Sequence, residues 1–326
     1  MKITLAHGSG GKSTSDLIEG IFAKHFSNPV LNMMEDSAVV EGYPKIAVTT
    51  DSFVVTPLVF KGGDIGRLCV CGTVNDLLMR GAVPKYITCG FIIEEGADSE
   101  ILELIAASVA ETAREAGVIV VAGDTKVIEG SGGVYINTTG VGFVKESTDI
   151  CSTNLQVGDA VIVSGNLGDH HAAILSARMN IENGIKSDNA PLGEMVRKML
   201  KEGIELHCMR DITRGGLATV LNELAKASNV SIELQQSSIP VDSEVKAFAE
   251  ILGLDVLYMG NEGKLAAVVP SSQAQKAVEI IRGCRYGENA CIIGEVKDGR
   301  GVNLITALGG VRKINVLYGE GLPRIC

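Results

Sequence analysis

Three stretches of this 326-residue chain combine residue types suited to a phosphorylated ligand. The first is Ala6-His7-Gly8-Ser9-Gly10-Gly11-Lys12-Ser13. Its small residues leave backbone N–H groups open, and the helix expected after it adds a positive end, an arrangement that suits a phosphate. Gly-Lys-Ser between a strand and a helix is also the setting of a P-loop, although Ala6 stands where the strict pattern has Gly. The bland alternative is a terminal loop with no ligand. The second group is Asp36, Asp51, Asp64, Asp76 and Asp124. Asp51 and Asp124 each follow an apolar run that reads as a strand, so both would emerge at one sheet edge. Several carboxylates beside a phosphate loop call for Mg2+ to neutralise both parties. Taken singly, each also reads as a cap or turn residue, Asp64 most of all. Asn75-Asp76 falls inside an apolar helix, where an amide and a carboxylate need a partner. The third stretch is Asp211-Ile-Thr-Arg-Gly-Gly-Leu217, a polar turn entering a helix. There Asp211 or Thr213 can serve simply as a cap, and Arg214 as half of a surface pair.

Two further candidates are Lys126, two residues past Asp124, and Glu262 in Gly260-Asn-Glu-Gly263. Both are expected at strand edges, where surface exposure is the usual fate of such residues. The chain then ends Tyr318-Gly-Glu-Gly-Leu-Pro-Arg-Ile-Cys326. Gly319 and Gly321 make a hinge, and Pro323 stiffens the last residues. The cysteine is terminal, so this is no prenylation box. A thiol on a flexible arm suits modification by one protein and delivery to a second site. Arg324 favours its thiolate and the α-carboxylate opposes it.

Short apolar strands alternating with amphipathic helices must position these residues. Strands are expected at 2–5, 45–50, 85–93, 118–121 and 134–144, and helices at 15–26, 64–80 and 99–116. Asp64 is the expected cap of the second helix, with Gly81 and Gly117 closing the second and third. Residues 145–158 are polar and turn-rich and read as a domain boundary. Beyond it, strands are expected at 159–164, 231–234, 264–269 and 290–296, and helices near 190–202, 215–227, 242–252 and 272–283. The expected fold class is α/β (α+β), in two mixed domains spanning 1–150 and 151–316, with a flexible C-terminal tail over 317–326.

Composition narrows the function. Glycine is 39 of 326 residues, well above the usual level, and must lie mostly in loops. The net charge is −10 and no basic block stands out, which argues against nucleic acid as a partner. No apolar run is long enough to span a membrane, and glycine interrupts the start before a signal peptide could form, so a cytoplasmic location is expected. The eight cysteines include no CxxC pair, and most sit in apolar settings. Small buried thiols are expected, not disulfides or a zinc site.

In order along the chain come Leu5-Ala-His-Gly-Ser-Gly-Gly11, Thr50-Asp-Ser52, Gly72-Thr-Val-Asn-Asp76, Cys89-Gly-Phe-Ile-Ile-Glu-Glu-Gly96, Gly123-Asp-Thr-Lys126, Leu167-Gly-Asp-His170, Thr213-Arg-Gly-Gly216, Asn261-Glu-Gly-Lys264 and Pro323-Arg-Ile-Cys326. Together they resemble the HypE family of hydrogenase maturation proteins, within the aminoimidazole-ribonucleotide synthetase-like ATP-binding superfamily. The terminal Pro-Arg-Ile-Cys is specific to that family. The Asn-Asp, Gly-Asp-Thr and Thr-Arg-Gly-Gly elements also suit thiamine-monophosphate kinase and selenophosphate synthetase. The resemblance implies two α/β domains and a homodimer joined through first-domain strands, with ATP near that interface. It implies that Gly8, Ser9, Gly10 and Gly11 form a lid over ATP in place of a P-loop. Asp36, Asp51, Asp76 and Asp124 would hold Mg2+, and Asp51, Asn75, Asp124, Thr125, Thr213 and Arg214 would contact ATP. Asp36 has Glu35 before it where the superfamily often has a second aspartate. The implied activity is dehydration of a thiocarboxamide on Cys326 to a thiocyanate, with Glu262 and Lys126 as candidate proton acceptors. A carbamoyltransferase, HypF, would load the tail, and a HypC–HypD complex would receive the cyano group for its iron. Two rival readings are a synthetase or kinase acting on a free small molecule and a non-enzymatic assembly scaffold.

Overall fold

A computed structural model describes residues 2–8, 12–34 and 37–316. Ser9, Gly10, Gly11, Asp36 and the tail with Cys326, all singled out above, lie outside the described residues.

The first half is a four-stranded sheet backed by two helices. Strands β1 (Ile46–Phe53), β2 (Val83–Glu94), β3 (Ile119–Ile128) and β4 (Val134–Phe143) lie in the order β1-β4-β2-β3. Only the β2–β3 pair is parallel. Helix α1 occupies 12–26 and contains a π-helical stretch, Ile18–Ala23. Helix α2 (Ile65–Met79) starts where Asp64 Oδ1 accepts from the N–H groups of Gly66 and Arg67, at 2.7 and 3.0 Å. This is the cap expected from the sequence. Helix α3 (Ser99–Ala116) buries Leu102, Ile105, Ala106, Val109 and Ala113, and Gly117 ends it in the left-handed region.

The second half is a seven-stranded sheet of β5 (Asp159–Val163), β6 (Cys208–Asp211), β7 (Ser231–Gln235), β8 (Leu265–Pro270), β9 (Cys291–Lys297), β10 (Gly301–Ile305) and β11 (Val311–Ile314). Their order is β11-β10-β7-β9-β5-β8-β6, antiparallel except for β10 beside β7. Its helices are α4 (Asp169–Met179), α5 (Gly193–Lys201), α6 (Gly216–Ser228), α7 (Ser243–Leu252) and α8 (Ser271–Arg282). Helix α2 is buried nearly all round because it packs on its own sheet and on β6 and α5 as well. One continuous apolar core therefore runs through the seam between the halves, from Leu68 and Val74 to Leu192, Met209 and Leu265.

Several expectations need correction. Residues 2–5 form no strand: Lys2 makes one bridge to Asp98, and a 3-10 turn follows at Leu5–Gly8. Ile3 instead plugs the core, bonding Ala97 O and Gly96 N–H at 2.8 Å each. The strand expected at 118–121 runs on to Ile128, because its parallel ladder with β2 continues to the Glu94–Ile128 pair. Asp51, Asp124 and Lys126 therefore lie inside strands and not beyond them. Helix α4 and strands β6, β10 and β11 have no counterpart in the sequence reading. No helix among the described residues is long and apolar enough to cross a membrane.

Candidate active site

The acidic residues converge at the seam. In the first half, Asp51 lies on the covered face of β1, in register with Thr138, Cys89 and Gly123 of the other three strands. Asp76, on α2, accepts a hydrogen bond from Thr49 Oγ1 at 2.7 Å. Burial pushes Asp51 up to about 6, helped by the charge and hydrogen bond of Asp76 and opposed by Arg214. In the second half, Asp211 ends β6 and is pushed up to about 7 by burial and then by Asp76. Glu262 lies in the turn before β8 and is 6% exposed. Its carboxyl is held well above the usual range by burial and by the charges of Asp211, Asp188 and Asp51, with Arg214 opposing. Both halves thus press carboxylates together around the exposed Arg214, which enters from the Thr213–Gly216 turn. Such mutually raised carboxyls are expected where a cation or a proton-accepting step is to be accommodated.

Asn75 explains how the halves are held. It is 2% exposed. Its Nδ2 donates to Ala190 O at 3.0 Å, and its Oδ1 accepts the Leu192 N–H at 2.9 Å. Both amide atoms are therefore engaged by backbone of the second half. Within the second half, Asp188 accepts the Glu262 N–H on Oδ1 at 3.0 Å.

The other candidates gather at the opposite edge of the same sheet. Asp124 and Lys126 are in register with Gly90 and Ile92, on the uncovered face, three strand spacings from β1. Both side chains are more than half exposed and form an ion pair at 3.0 Å. Gly8 packs directly on this strand; a Cβ there would sit 2.7 Å from Val127 N. A cavity of about 390 Å3 opens here, lined by Gly8, Phe22, Phe91, Asp124, Thr125 and Lys126. Within one chain the structure thus brings Asp51, Asp76, Arg214 and Glu262 together and keeps Asp124, Thr125 and Lys126 apart from them. Sequence reasoning placed Asp211 in a candidate stretch, with a cap as the alternative, but assigned it no role, although it ends a strand as Asp51 nearly does. It passed over Asp188, which no local pattern marks. Lys264 appeared only inside a quoted motif, ahead of the apolar run of β8.

Two family models cover most of the chain: "AIR synthase related protein, N-terminal domain" over residues 34–144 and "AIR synthase related protein, C-terminal domain" over residues 156–307. Carbamoyl dehydratase HypE of Azotobacter vinelandii is 46% identical over 331 residues, covering 99% of this chain and 97% of its own. The chain belongs to the HypE family. A crystal structure of the hydrogenase maturation protein HypE in complex with ATP matches with a TM-score of 0.95 and 43% identity, over 99% of both chains. The crystal structure of a HypE–HypF complex matches with a TM-score of 0.81 and 46% identity, over 92% of this chain and 99% of that one. The two-domain architecture expected from the HypE resemblance is therefore present.

Proposed function

We infer that this protein is an ATP-dependent carbamoyl dehydratase of hydrogenase maturation, acting on its own carboxyl terminus. The observation that carries this reading is full-length membership of the HypE family together with the raised carboxylates at the seam. The reaction converts R–S–C(=O)–NH2 and ATP into R–S–C≡N, ADP and phosphate. Oxygen leaves only once it is phosphorylated, because oxide is not a leaving group. The nitrogen then loses both protons as the C≡N bond forms, and phosphate departs with the carbamoyl oxygen. R–S is the Cys326 thiolate in this proposal.

Among the described residues, no three His, Cys, Asp or Glu side chains are close enough to enclose a metal ion. Mg2+ does not need such a cage, since it usually keeps waters and binds one or two carboxylates together with substrate phosphates. The hydrogen-bonded pair Asp51 and Asp76 fits that use. In our proposal Asp51 and Asp76 would hold one Mg2+, and Asp36 and Asp124 a second site on the nucleotide, where the ions would neutralise the phosphates. Glu262 takes a proton from the carbamoyl nitrogen: burial disfavours its ionised form, which makes that form a stronger base. Lys126 holds phosphate with the N–H groups of Gly8, Ser9, Gly10 and Gly11. Thr125, Thr213 and Arg214 contact the nucleotide.

The separation of the two groups supports a homodimer. The uncovered sheet face presents Ile46, Val48 and Ile92, each at least 43% exposed, in the same surface as Asp124 and Lys126. Covering that face with a second copy buries apolar surface. HypF is the proposed loading partner and HypC–HypD the acceptor, all in the cytoplasm. The test is intact mass of the carboxyl-terminal peptide. After carbamoylation and addition of ATP, the carbamoylated peptide should lose the mass of one water. ATP consumption with an unchanged peptide mass refutes the reading.

A further inference from the structure

The turn that carries Glu262 is gripped by a segment far from it in sequence, residues 188–190. Asp188 Oδ1 accepts the Glu262 N–H at 3.0 Å. The Glu262 carbonyl in turn accepts from the Ala190 N–H at 3.4 Å and from Asn75 Nδ2 at 3.5 Å. The buried Asn261 just before it donates its N–H to Ile212 O at 2.8 Å, and its Oδ1 accepts the Gly168 N–H at 2.7 Å. The residue after it has to be glycine, because a Cβ on Gly263 would lie 1.9 Å from Asp188 O and 2.9 Å from Ala190 N. Main chain lies directly on main chain here, so the backbone of Glu262 is fixed on both sides.

An ionised side chain is a costly means of holding one backbone N–H. The Asp188 side chain is 2% exposed, and that of Lys264, whose Nζ lies 3.6 Å from Asp188 Oδ2, is 9% exposed. Desolvating two such charges largely cancels their attraction, so a buried pair is weak evidence of a contribution to stability. Lys264 is nonetheless accommodated with care. Its Nζ donates to Gly263 O at 3.2 Å, and Gly165 leaves room for its stem, since a Cβ there would meet Lys264 Cε at 2.9 Å. What the pair provides is a strong acceptor in one fixed place. A hydrogen bond to a carboxylate is roughly twice as strong as one to a neutral oxygen, and Lys264 occupies the second oxygen, which leaves Oδ1 for Glu262. We propose that Asp188 is a positioning residue for the dehydration, holding the Glu262 carboxyl at the carbamoyl nitrogen, with Lys264 holding Asp188 in turn. The proposal rests on the dehydratase reading, in which Glu262 takes that proton; Asp188 acts through Glu262 and not on the substrate.

The test is single-turnover dehydration by the full chain carbamoylated on Cys326, followed as loss of water from the carboxyl-terminal peptide, with ATP affinity measured beside it. A reacting group misplaced by about 1 Å loses about 10²-fold in rate. Asp188→Ala should therefore slow water loss by about that factor and leave ATP affinity within about twofold of the parent. Asp188→Asn, nearly isosteric, serves if the alanine variant does not fold. Its amide nitrogen must face either the Glu262 N–H or Lys264 Nζ, both of them donors, and the rate should fall about tenfold. Adding Lys264→Met removes one donor, lets the Asn oxygen turn to Glu262, and should recover most of that loss. In a Glu262→Gln background, Asp188→Ala should cost no more than about twofold further, because the group it positions is gone. A merely structural role would act equally in both backgrounds. An equal loss in both therefore overturns the proposal, as does parent-like water loss in Asp188→Ala and Asp188→Asn, or an ATP affinity that falls as far as the rate. No recovery with Lys264→Met removes Lys264 from it. A parent chain that loses no water removes the dehydratase reading and this proposal with it, whereas water loss that neither Asp188 variant slows removes this proposal alone.

Discussion

Asp211→Asn should stabilise the protein without nucleotide, and should do so far more at pH 8 than at pH 5. The carboxyl is pushed from 3.8 to about 7, by burial first and then by the charge of Asp76. An acid whose pKa is raised on folding binds protons more readily in the folded state. Above pH 7 it is ionised in both states, and the folded protein carries the full penalty. At about 1.4 kcal/mol per pH unit, the rise from 3.8 to about 7 gives a ceiling of roughly 4 kcal/mol. The residue as a whole is only half-buried, so water screening lowers that figure. At pH 5 the folded carboxyl is protonated, and only the gap between 3.8 and 5 counts, about 1.6 kcal/mol. The gain should therefore grow by roughly 1–2.5 kcal/mol between pH 5 and pH 8. The assay is urea denaturation of parent and variant at both pH values, with chelator present and nucleotide absent. The same variant should bind Mg-ATP more weakly. A gain of equal size at the two pH values, or a loss at pH 8, refutes the claim that the seam forces like charges together.

Asn75→Leu keeps the branching of the side chain but strands the Leu192 N–H and the Ala190 carbonyl, so unfolding should show a loss of about 2–5 kcal/mol. Turnover should fall with it, because that clamp positions the Glu262 turn. Gly123→Ala places a Cβ 2.7 Å from Cys89 O, inside the β2–β3 ladder. A loss of about 1–3 kcal/mol, with faster amide exchange along 119–128, should follow. Among the described cysteines, Cys151 should react first with a thiol reagent at pH 8. Its thiol is lowered to about 7 by hydrogen bonding from Thr153, whereas Cys69, Cys71 and Cys208 are buried and held high. Prior modification of Cys208 would contradict the packing described for β6.

The elements with strong periodicity or caps were legible from residues alone. Asp64 and α2, and α3 with Gly117, follow from local chemistry. Helix α4 was not, because His170 and His171 interrupt an apolar pattern; both are in fact buried and held neutral, their pKa values lowered to about 3 and 4 by burial. The edge strands β10 and β11 carry too few apolar residues to stand out. At the site, the residue types of Asp51, Asp76 and Glu262 pointed to metal and proton chemistry. Their grouping did not, since Asp51 and Glu262 meet only through a seam that spans some two hundred positions. The separation of Asp124 and Lys126 from Asp51 depends on which face of the pleat each residue takes. A one-residue difference in register decides that, and local sequence does not record it.

The Asn75 clamp has one more consequence. A chain cut within the 145–158 connection still holds every interlocking piece, since the amide on α2 and the backbone it grips lie on different fragments. Co-expressed fragments would be expected to find one another, and the acidic pocket would exist only after they had docked. A gene split there becomes a sensor for proximity, silent in either piece and switched on by reunion.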